Sequence, residues 1–312
     1  MPPQYSVSPN PRVPFEICYE DEHLIVLNKP ASIVTQPGAK HTYDTLLNGA
    51  FDRWGNQLQN LGKKRDFGLL HRLDRGTSGL VIIALTPQSY DGMRALFETR
   101  NVKKRYWTLV SGHVQNLSGV CDSPILERRV NGKKQAVVNN FSTSKGSAIH
   151  HRRNDSGRRS SQGGKTFGAK NLHGREPRKG LDQRSHHNEQ LIPLKGQAAR
   201  TEFRVLETHH SALGPIAFIE CSPHTGRLHQ IRVHMRTLEL SVIGDFDYGG
   251  NTQVNQAIKS LGRDRLMLHA GYLEFVHPIT HLLIQIEAPL PDWWSTFIQQ
   301  LKLNTDLLIS SF

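Results

Sequence analysis

Cysteine and long apolar runs are scarce in this sequence. Its 312 residues include three cysteines, at positions 18, 121 and 221, an odd number at wide spacing that fits neither a disulfide framework nor a zinc motif. No run of about 18 apolar residues occurs, which argues against a membrane-spanning helix. The first residues also lack the basic-then-apolar order of a signal peptide. We therefore expect a cytoplasmic, reduced and metal-free protein that does not enter a membrane.

Acidic residues are outnumbered by basic ones. The chain has 39 Lys and Arg against 27 Asp and Glu, a formal net charge of +12. A charge of this sign and size favours binding to a polyanion, and nucleic acid is the obvious candidate.

Much of this charge lies in one segment of low apolar content. Residues 141–196 contain 12 Lys or Arg and four Asp or Glu, a net charge of +8. Such a segment buries too little apolar surface to offset the entropy of ordering, so we predict a disordered insertion. It is either a flexible basic arm that adds phosphate contacts or an inert loop. The prediction is an N-terminal tail at 1–14 and a single domain formed by 15–140 and 197–312.

The segment HRLDRGTSG, residues 71–79, places an acid between two arginines. Asp74 lies between Arg72 and Arg75, and small residues then lead into the apolar run at 80–85. Neighbouring guanidinium groups favour the charged form of a carboxylate, which suits a nucleophile better than a proton donor. A solvated ion pair or a turn cap is the alternative reading of Asp74 considered by itself.

A second polar segment, SPHTGRLHQIRVHM at 222–235, combines a turn with a helical pattern. Its apolar residues recur every three or four positions, and the other face carries His229, Arg232 and Arg236. Arg227 lies in the first turn of this predicted helix. Such cations can receive phosphate oxygens or pair with a carboxylate, although a plain solvated face has the same appearance.

These two segments and five others resemble the RluA family of pseudouridine synthases in order and spacing. The seven segments are IVLNKPAS at 25–32, HRLDRGTSGL at 71–80, KKRYWTLVSG at 103–112, ARTEFRVLE at 199–207, PHTGRLHQIRVHM at 223–235, GDFDYGG at 244–250 and LHAGYLEFVHP at 268–278. Members of this family isomerise uridine in structural RNA. The resemblance covers about residues 15–138 and 197–302, so it implies that the predicted domain is catalytic.

The resemblance implies a role for three residues in the chemistry. Asp74 matches the nucleophile, and Arg227 matches an arginine that makes a salt bridge to it. Tyr106 matches a tyrosine whose ring stacks on uracil, where the sequence pattern by itself also allows a core aromatic beside Trp107. Isomerisation changes no oxidation state and adds no atoms, so no cofactor and no metal are expected.

Four further residues are candidates for RNA contact. Arg72 matches the family residue that enters the RNA helix when the base is flipped out, which offsets part of the unstacking cost. Lys29, His71 and Arg232 are predicted to line the same cleft. Solvated surface positions are the alternative for these side chains.

The pattern of apolar residues predicts an α+β fold. Strand-like runs occur at 24–28, 80–85, 105–111, 134–138, 201–207, 215–221, 270–276 and 282–287, and helix-like patterns at 88–100, 227–239 and 292–302. Regular strand-helix-strand alternation is rare, which argues against a doubly wound sheet. The family resemblance agrees and implies a large mixed, mainly antiparallel sheet with flanking helices and a central catalytic cleft.

Several alternatives stay open. Ribosomal RNA is the favoured partner and tRNA a possible one, since related enzymes act on either with nearly the same residues. A non-catalytic RNA-binding protein and a metal-assisted hydrolase are the other readings, the latter without any ligand spacing of the HExxH kind. We expect a monomer, and we expect no small RNA-binding module of the S4 type before the catalytic domain.

Overall fold

The computed structural model describes residues 5–130, 133–138, 196–249, 252–259 and 265–300. Almost all of the predicted basic insertion lies outside these residues. The described residues belong to one compact unit of the chain. No helix within them is long and apolar enough to span a bilayer.

The described residues form twelve strands, five α-helices and a short 3₁₀ helix. The strands are β1 (Glu16–Glu20), β2 (Leu24–Lys29), β3 (Ser78–Ala84), β4 (Lys103–Ser111), β5 (Ser118–Cys121), β6 (Ile125–Val130), β7 (Lys133–Val138), β8 (Thr201–Ser211), β9 (Gly214–Pro223), β10 (Ser241–Val242), β11 (Leu268–Val276) and β12 (Leu283–Glu287). The helices are α1 (Leu46–Leu61), α2 (Pro87–Glu98), α3 (Gln230–Thr237), α4 (Thr252–Lys259) and α5 (Asp292–Gln300), with the 3₁₀ helix at Lys63–Gly68.

One large sheet organises the fold. Its strand order is β1-β2-β3-β11-β4-β9-β8-β5, with β10 paired to β4 and β12 paired to β11. Strands β3 and β11 are parallel, and every other pairing described in this sheet is antiparallel. Strands β6 and β7 form a separate hairpin. The predicted α+β class with a mixed, mainly antiparallel sheet is confirmed.

Strand β3 is buried on both faces, which explains its continuous apolar sequence. Val81 and Ile83 face the cluster that contains Phe51 of α1, whereas Leu80 and Ile82 face the cluster that contains residues of α2 and β11. Each fully buried aliphatic side chain of this kind contributes about 1.5–3 kcal/mol relative to exposure. This double burial holds rigid the strand that follows the Asp74 turn.

Gly79 allows β3 to approach β11 closely. Its φ angle is +113°, and a Cβ atom built there would lie 2.2 Å from the carbonyl oxygen of Ala270. Both the backbone conformation and the space therefore require glycine. The glycine that ends the HRLDRGTSG segment thus joins the Asp74 turn to the centre of the sheet.

The eight predicted strands and three predicted helices are all present, with shifted ends, but other elements were not predicted. Helix α1 is the longest of these. It begins with a capping box in which Thr45 and Asn48 exchange hydrogen bonds. Gly49 and Gly55 weaken its helical pattern by about 1 kcal/mol each relative to alanine, yet Cβ atoms there would lie within 3 Å of the rings of Phe15 and Tyr5. Tertiary packing therefore selects glycine against local propensity.

Candidate active site

The turn that carries Asp74 is held by hydrogen bonds between its backbone and the loop that follows β2. The Thr35 hydroxyl donates to the Leu73 carbonyl over 2.8 Å and accepts from the Leu73 amide over 3.1 Å. The Ser32 amide donates to the Arg75 carbonyl over 2.8 Å. Because the backbone is held on both sides of Asp74, the turn presents the Asp74 side chain to the cleft.

Asp74 and Arg227 line the same pocket although they lie far apart in sequence. This cavity has a volume of about 90 Å³, and its walls come from the Asp74 turn, from β4 and from the polar turn before α3. Its lining residues include Arg72, Asp74, Tyr106, Arg227, His229 and Arg232. The fold therefore brings the two predicted motif segments together at one cleft.

Helix α3 begins at Gln230, later than the predicted residue 227. The Gln230 side-chain oxygen accepts hydrogen bonds from the Thr225 hydroxyl (2.6 Å) and from the Arg227 amide (3.1 Å), which stabilises a non-helical turn before the helix. His229 occupies the left-handed region at φ +51°. This conformation turns the chain so that residues 227–232 border the pocket.

Arg232 is the arginine that contacts Asp74. Its Nη1 lies 3.3 Å from the Asp74 Oδ2, and its other nitrogens bind Asp245 in a bidentate pair at 2.8 Å and Asp247 at 2.9 Å. Only 7% of its side chain is exposed. Burial by itself would lower the pKa of Arg232, but Asp245 and Asp74 outweigh it and raise the pKa well above its usual range. Arg232 therefore places a permanent positive charge beside Asp74.

This arrangement corrects two expectations. The predicted salt bridge from Arg227 to Asp74 is replaced by the contact with Arg232, and the Arg227 Nε instead donates to the carbonyl of Ala198 over 3.1 Å. Arg232 was predicted to contact RNA, but it is buried among carboxylates. The reason is the first turn of α3, which points residue 232 inward while residue 227 stays at the rim.

His229 approaches Asp74 from the other side. Its Nε2 lies 3.7 Å from the Asp74 Oδ2, and its Nδ1 lies 2.5 Å from the hydroxyl oxygen of Tyr248. That oxygen already accepts a hydrogen bond from the amide of Ala136 over 2.9 Å, so the hydroxyl proton is available for Nδ1. Burial lowers the pKa of His229, against the charge of Asp74, and a neutral ring then carries its proton on Nε2.

Tyr106 projects into the pocket from β4. Its side chain is partly buried against Ala270 and the surrounding apolar cluster. Burial, and next the charge of Asp74, raise the pKa of Tyr106 above its usual range. The phenol therefore stays protonated at neutral pH, which makes it a hydrogen-bond donor and a ring surface beside the carboxylate.

Lys29 is completely buried, with no accessible surface. Its ammonium donates to the carbonyls of Pro30 (2.9 Å) and Ile33 (2.8 Å), inside the loop that supports the Asp74 turn. This corrects the expectation that Lys29 contacts RNA, since a side chain without accessible surface cannot. Burial lowers the pKa of Lys29 to about 7, although the charge of Asp74 acts in the opposite direction.

The lowered pKa of Lys29 predicts a pH-dependent contribution to stability. The unfolded lysine, with an ordinary pKa of 10.5, binds more protons than the folded one between about pH 7 and 10.5. Stability from this group therefore rises with pH in that window. We expect the free energy of unfolding of wild type, minus that of Lys29→Met, to increase by at most about 1.4 kcal/mol per pH unit in denaturant titrations. Lys40→Met, at an exposed loop position, is the control. A flat or falling difference would contradict the assignment.

His71 and Arg72 lie on the outer side of the Asp74 turn. The His71 Nε2 accepts a hydrogen bond from the amide of Ile82 over 3.1 Å, and its ring lies 5.3 Å from that of Phe97. Burial, and next the charge of Lys104, lower the pKa of His71 to about 3, so the ring is neutral. Arg72 is exposed at the rim of the pocket. Contact of either residue with RNA stays a prediction.

The GDFDYGG segment contributes functional groups to which no role was assigned from sequence. Asp245 and Asp247 hold Arg232, and Tyr248 holds His229. The sequence contained one indication of this role. A buried arginine needs carboxylate partners, and this segment contains two aspartates. Among the described residues, no group of three or more His, Cys, Asp or Glu side chains could hold a metal ion.

A comparison with protein families gives one match over most of the chain. The model described as RNA pseudouridylate synthase matches residues 23–237. This range includes the Asp74 turn, β4 and helix α3, which all border the pocket.

Curated relatives match across almost the whole chain. Ribosomal large subunit pseudouridine synthase D of Zymomonas mobilis subsp. mobilis is 29% identical over 293 residues, which cover 94% of this chain and 74% of that protein. The protein of the same name from Neisseria meningitidis serogroup A is 31% identical over 300 residues, 94% of this chain and 62% of that protein.

A solved structure has the same fold. The human protein titled RNA Pseudouridylate Synthase Domain Containing 1 superposes with a TM-score of 0.55 at 21% identity, covering 96% of this chain and 98% of that one. At this identity the likeness concerns the fold.

Proposed function

The chain belongs to the RluA family of RNA pseudouridine synthases, and we propose that it converts specific uridines of large-subunit ribosomal RNA to pseudouridine. The observation that carries the choice of RNA is the similarity to relatives that are named for the ribosomal large subunit. The relatives extend beyond the matched region.

The reaction moves one bond within the substrate. The bond from carbon 1′ of the ribose to N1 of uracil breaks, and a bond from carbon 1′ to carbon 5 forms. Carbon 5 loses a proton and N1 gains one, so no atom or electron is added. The site must hold an ionised carboxylate, accept a flipped base and exclude water from the detached intermediate.

Asp74 acts as the nucleophile in this proposal, and the covalent bond that its carboxylate forms, to carbon 1′ of the ribose or to the uracil ring, is broken again before product leaves, so the carboxylate is regenerated. The support is its place at the cleft and the guanidinium of Arg232, whose Nη1 donates to the Asp74 Oδ2 over 3.3 Å. His229 places a neutral ring on the second side, with its Nε2 3.7 Å from the Asp74 Oδ2. These two neighbours orient Asp74, and Arg232 has a positioning role because it acts through the carboxylate.

Tyr106 and Arg227 border the space that a flipped uracil would occupy. The Tyr106 ring stacks on the base, and its protonated hydroxyl donates a hydrogen bond near the reacting atoms. Arg227, at the exposed end of the turn before α3, binds the substrate. Arg72 enters the RNA helix where the base had been, since a guanidinium can stack and donate hydrogen bonds there.

The choice of RNA is tested by mapping pseudouridines across total RNA from cells with and without the gene. We expect specific positions in large-subunit ribosomal RNA to lose the modification and to regain it when the wild-type gene is returned. Restoration with Asp74→Asn serves as the control and is expected to leave these positions unmodified. Loss confined to tRNA would transfer the proposal to tRNA, the alternative within this family, and no loss in either would refute it.

A further inference from the structure

A second groove adjoins the catalytic pocket. It has a volume of about 580 Å³ and shares Arg72, Tyr106 and Arg227 with that pocket. Its cationic lining side chains are Arg72, Arg94, Arg100, Lys104 and Arg227. The carboxylate in its lining, that of Glu98, is paired with Arg94 at 3.4 Å. The groove is therefore positive at the point where it opens into the pocket.

Lys104 lies where the groove meets Tyr106. Both residues are on β4 and two positions apart, so their side chains project from the same face of the strand, about 7 Å from each other along it. The Lys104 ammonium lies 5.9 Å from the centre of the Phe97 ring. Within the described part of the chain, the structure gives this ammonium no salt bridge and no hydrogen-bond acceptor.

Lys103, the neighbouring residue on β4, is a cation that has a carboxylate partner. Lys103 projects from the opposite face, with 73% of its side chain exposed, and pairs with Glu274 over 2.6 Å. Lys104 is more buried, and no carboxylate of the described residues pairs with it in this way. Burial lowers the pKa of Lys104 to about 8, and its charge in turn helps to keep His71 neutral. A partly desolvated cation without a partner is costly unless an anion joins it when ligand binds.

We propose that Lys104 binds the RNA phosphate next to the flipped uridine, with Arg100 along the same groove. The inference rests on the proposed function, because it takes the pocket at Asp74 to hold the uracil. With the base beside Tyr106, the backbone on one side of that nucleotide passes the groove. The Lys104 ammonium, on the neighbouring side chain to Tyr106 on this face of β4, then sets how far the RNA strand enters the groove. Because the contact is with a phosphate, it forms with any base sequence.

The test compares Lys104→Met with Lys104→Arg and with Lys103→Met as the matched control. Each is assayed by tritium release from a large-subunit ribosomal RNA transcript labelled at carbon 5 of uridine. We expect Lys104→Met to lower kcat/KM about 10-fold, mainly through KM, because the contact is similar in the ground and transition states. Lys104→Arg should retain most activity, and Lys103→Met should match wild type.

Thermal unfolding separates binding from folding. If Lys104 only packs against Phe97, Lys104→Ala should lower Tm, and Lys104→Met, which keeps an apolar side chain of similar length, should leave RNA affinity unchanged. If it awaits an anion, Lys104→Met should keep or raise Tm while RNA affinity falls, because a partly desolvated charge has been removed. Equal losses in Lys104→Met and Lys104→Arg, or a lowered kcat at unchanged KM, would refute the phosphate contact.

Binding of a second ligand tests the Lys104 contact independently of which RNA is the substrate. Binding of a short oligouridine is measured against salt for wild type and Lys104→Met. Loss of one phosphate contact should make the slope of log K against log salt shallower by about 0.7. If wild type is inactive on the ribosomal transcript but the slopes differ, the proposed substrate is wrong and the Lys104 contact stands. Equal slopes and equal affinities would overturn the contact itself.

Discussion

Replacing Asp74 by asparagine is expected to abolish pseudouridine formation while leaving the fold and RNA binding in place. Asparagine keeps the shape of the side chain but cannot act as a carboxylate nucleophile, and deletion of a nucleophile typically costs up to about 10⁶-fold in rate. The fold should survive, because Arg232 keeps Asp245 and Asp247 as partners. Tritium release from RNA labelled at carbon 5 of uridine measures the activity, and thermal unfolding measures the fold.

The matched control for this substitution is Asp91→Asn. Asp91 is an exposed acid on α2 that pairs with Arg65 at 2.9 Å, away from the pocket, so its loss should leave the rate unchanged. Asp74→Ala is a second variant that cannot revert by deamidation. A chelator is present throughout, so that activity which depends on an added metal would be detected as inhibition of wild type. Residual turnover by both Asp74 variants at more than about a hundredth of the wild-type rate would contradict the nucleophile assignment.

Replacing Arg232 by methionine is expected to cost both activity and stability. The side chain is buried and serves three carboxylates, so its removal leaves their negative charges facing one another. Breaking a buried ion pair from one side typically costs about 3–5 kcal/mol. We expect a loss of this order in the free energy of unfolding, together with a large fall in kcat, because Asp74 loses the group that orients it.

Three companion variants separate the catalytic role of Arg232 from its structural role. Arg236→Met lies one turn later on α3, where the arginine is exposed and donates to Ser241 over 3.1 Å, so it should change stability by about 0.5 kcal/mol or less. Arg232→Met combined with Asp245→Asn restores part of the charge balance and should recover stability without activity. Arg232→Lys keeps the charge without the bidentate geometry, so its activity and stability should lie between those of wild type and Arg232→Met. Recovery of full activity in the double variant would refute the positioning role.

The strands and helices that were predictable are those whose pattern of apolar residues reflects which of their faces are buried. Strand β3 has an uninterrupted apolar sequence because both of its faces are covered, and helix α3 has apolar residues at helical spacing because one face meets the core. Helix α1 was not predicted, because its glycines oppose helix formation and are selected by contacts with Tyr5 and Phe15. Short strands such as β10 depend on a partner strand and carry little pattern of their own.

The site was predictable in its parts but not in its pairing. The acid, the tyrosine and the arginine-rich turn were all identified from residue type and motif order, and they do border one pocket. The arginine that contacts Asp74 was predicted wrongly. Arg227 and Arg232 are the same residue type and are separated in the sequence by little more than one helical turn, so the sequence pattern does not distinguish them. The difference depends on where α3 begins, and a hydrogen-bonded turn around Gln230 decides that.

The amino-acid sequence by itself determined the fold class and the family and predicted which carboxylate reacts, because periodicity, turn residues and motif order are local properties of the chain. Tertiary structure alone decided that Arg232 and His229 flank Asp74, that Lys29 is buried beneath the turn, and that Lys104 has no salt-bridge partner among the residues that the structure describes. These facts depend on which side chains from distant segments share a desolvated volume. Once water is excluded there, each charge must find an opposite charge, a carbonyl or a ligand, and only the packed chain specifies which.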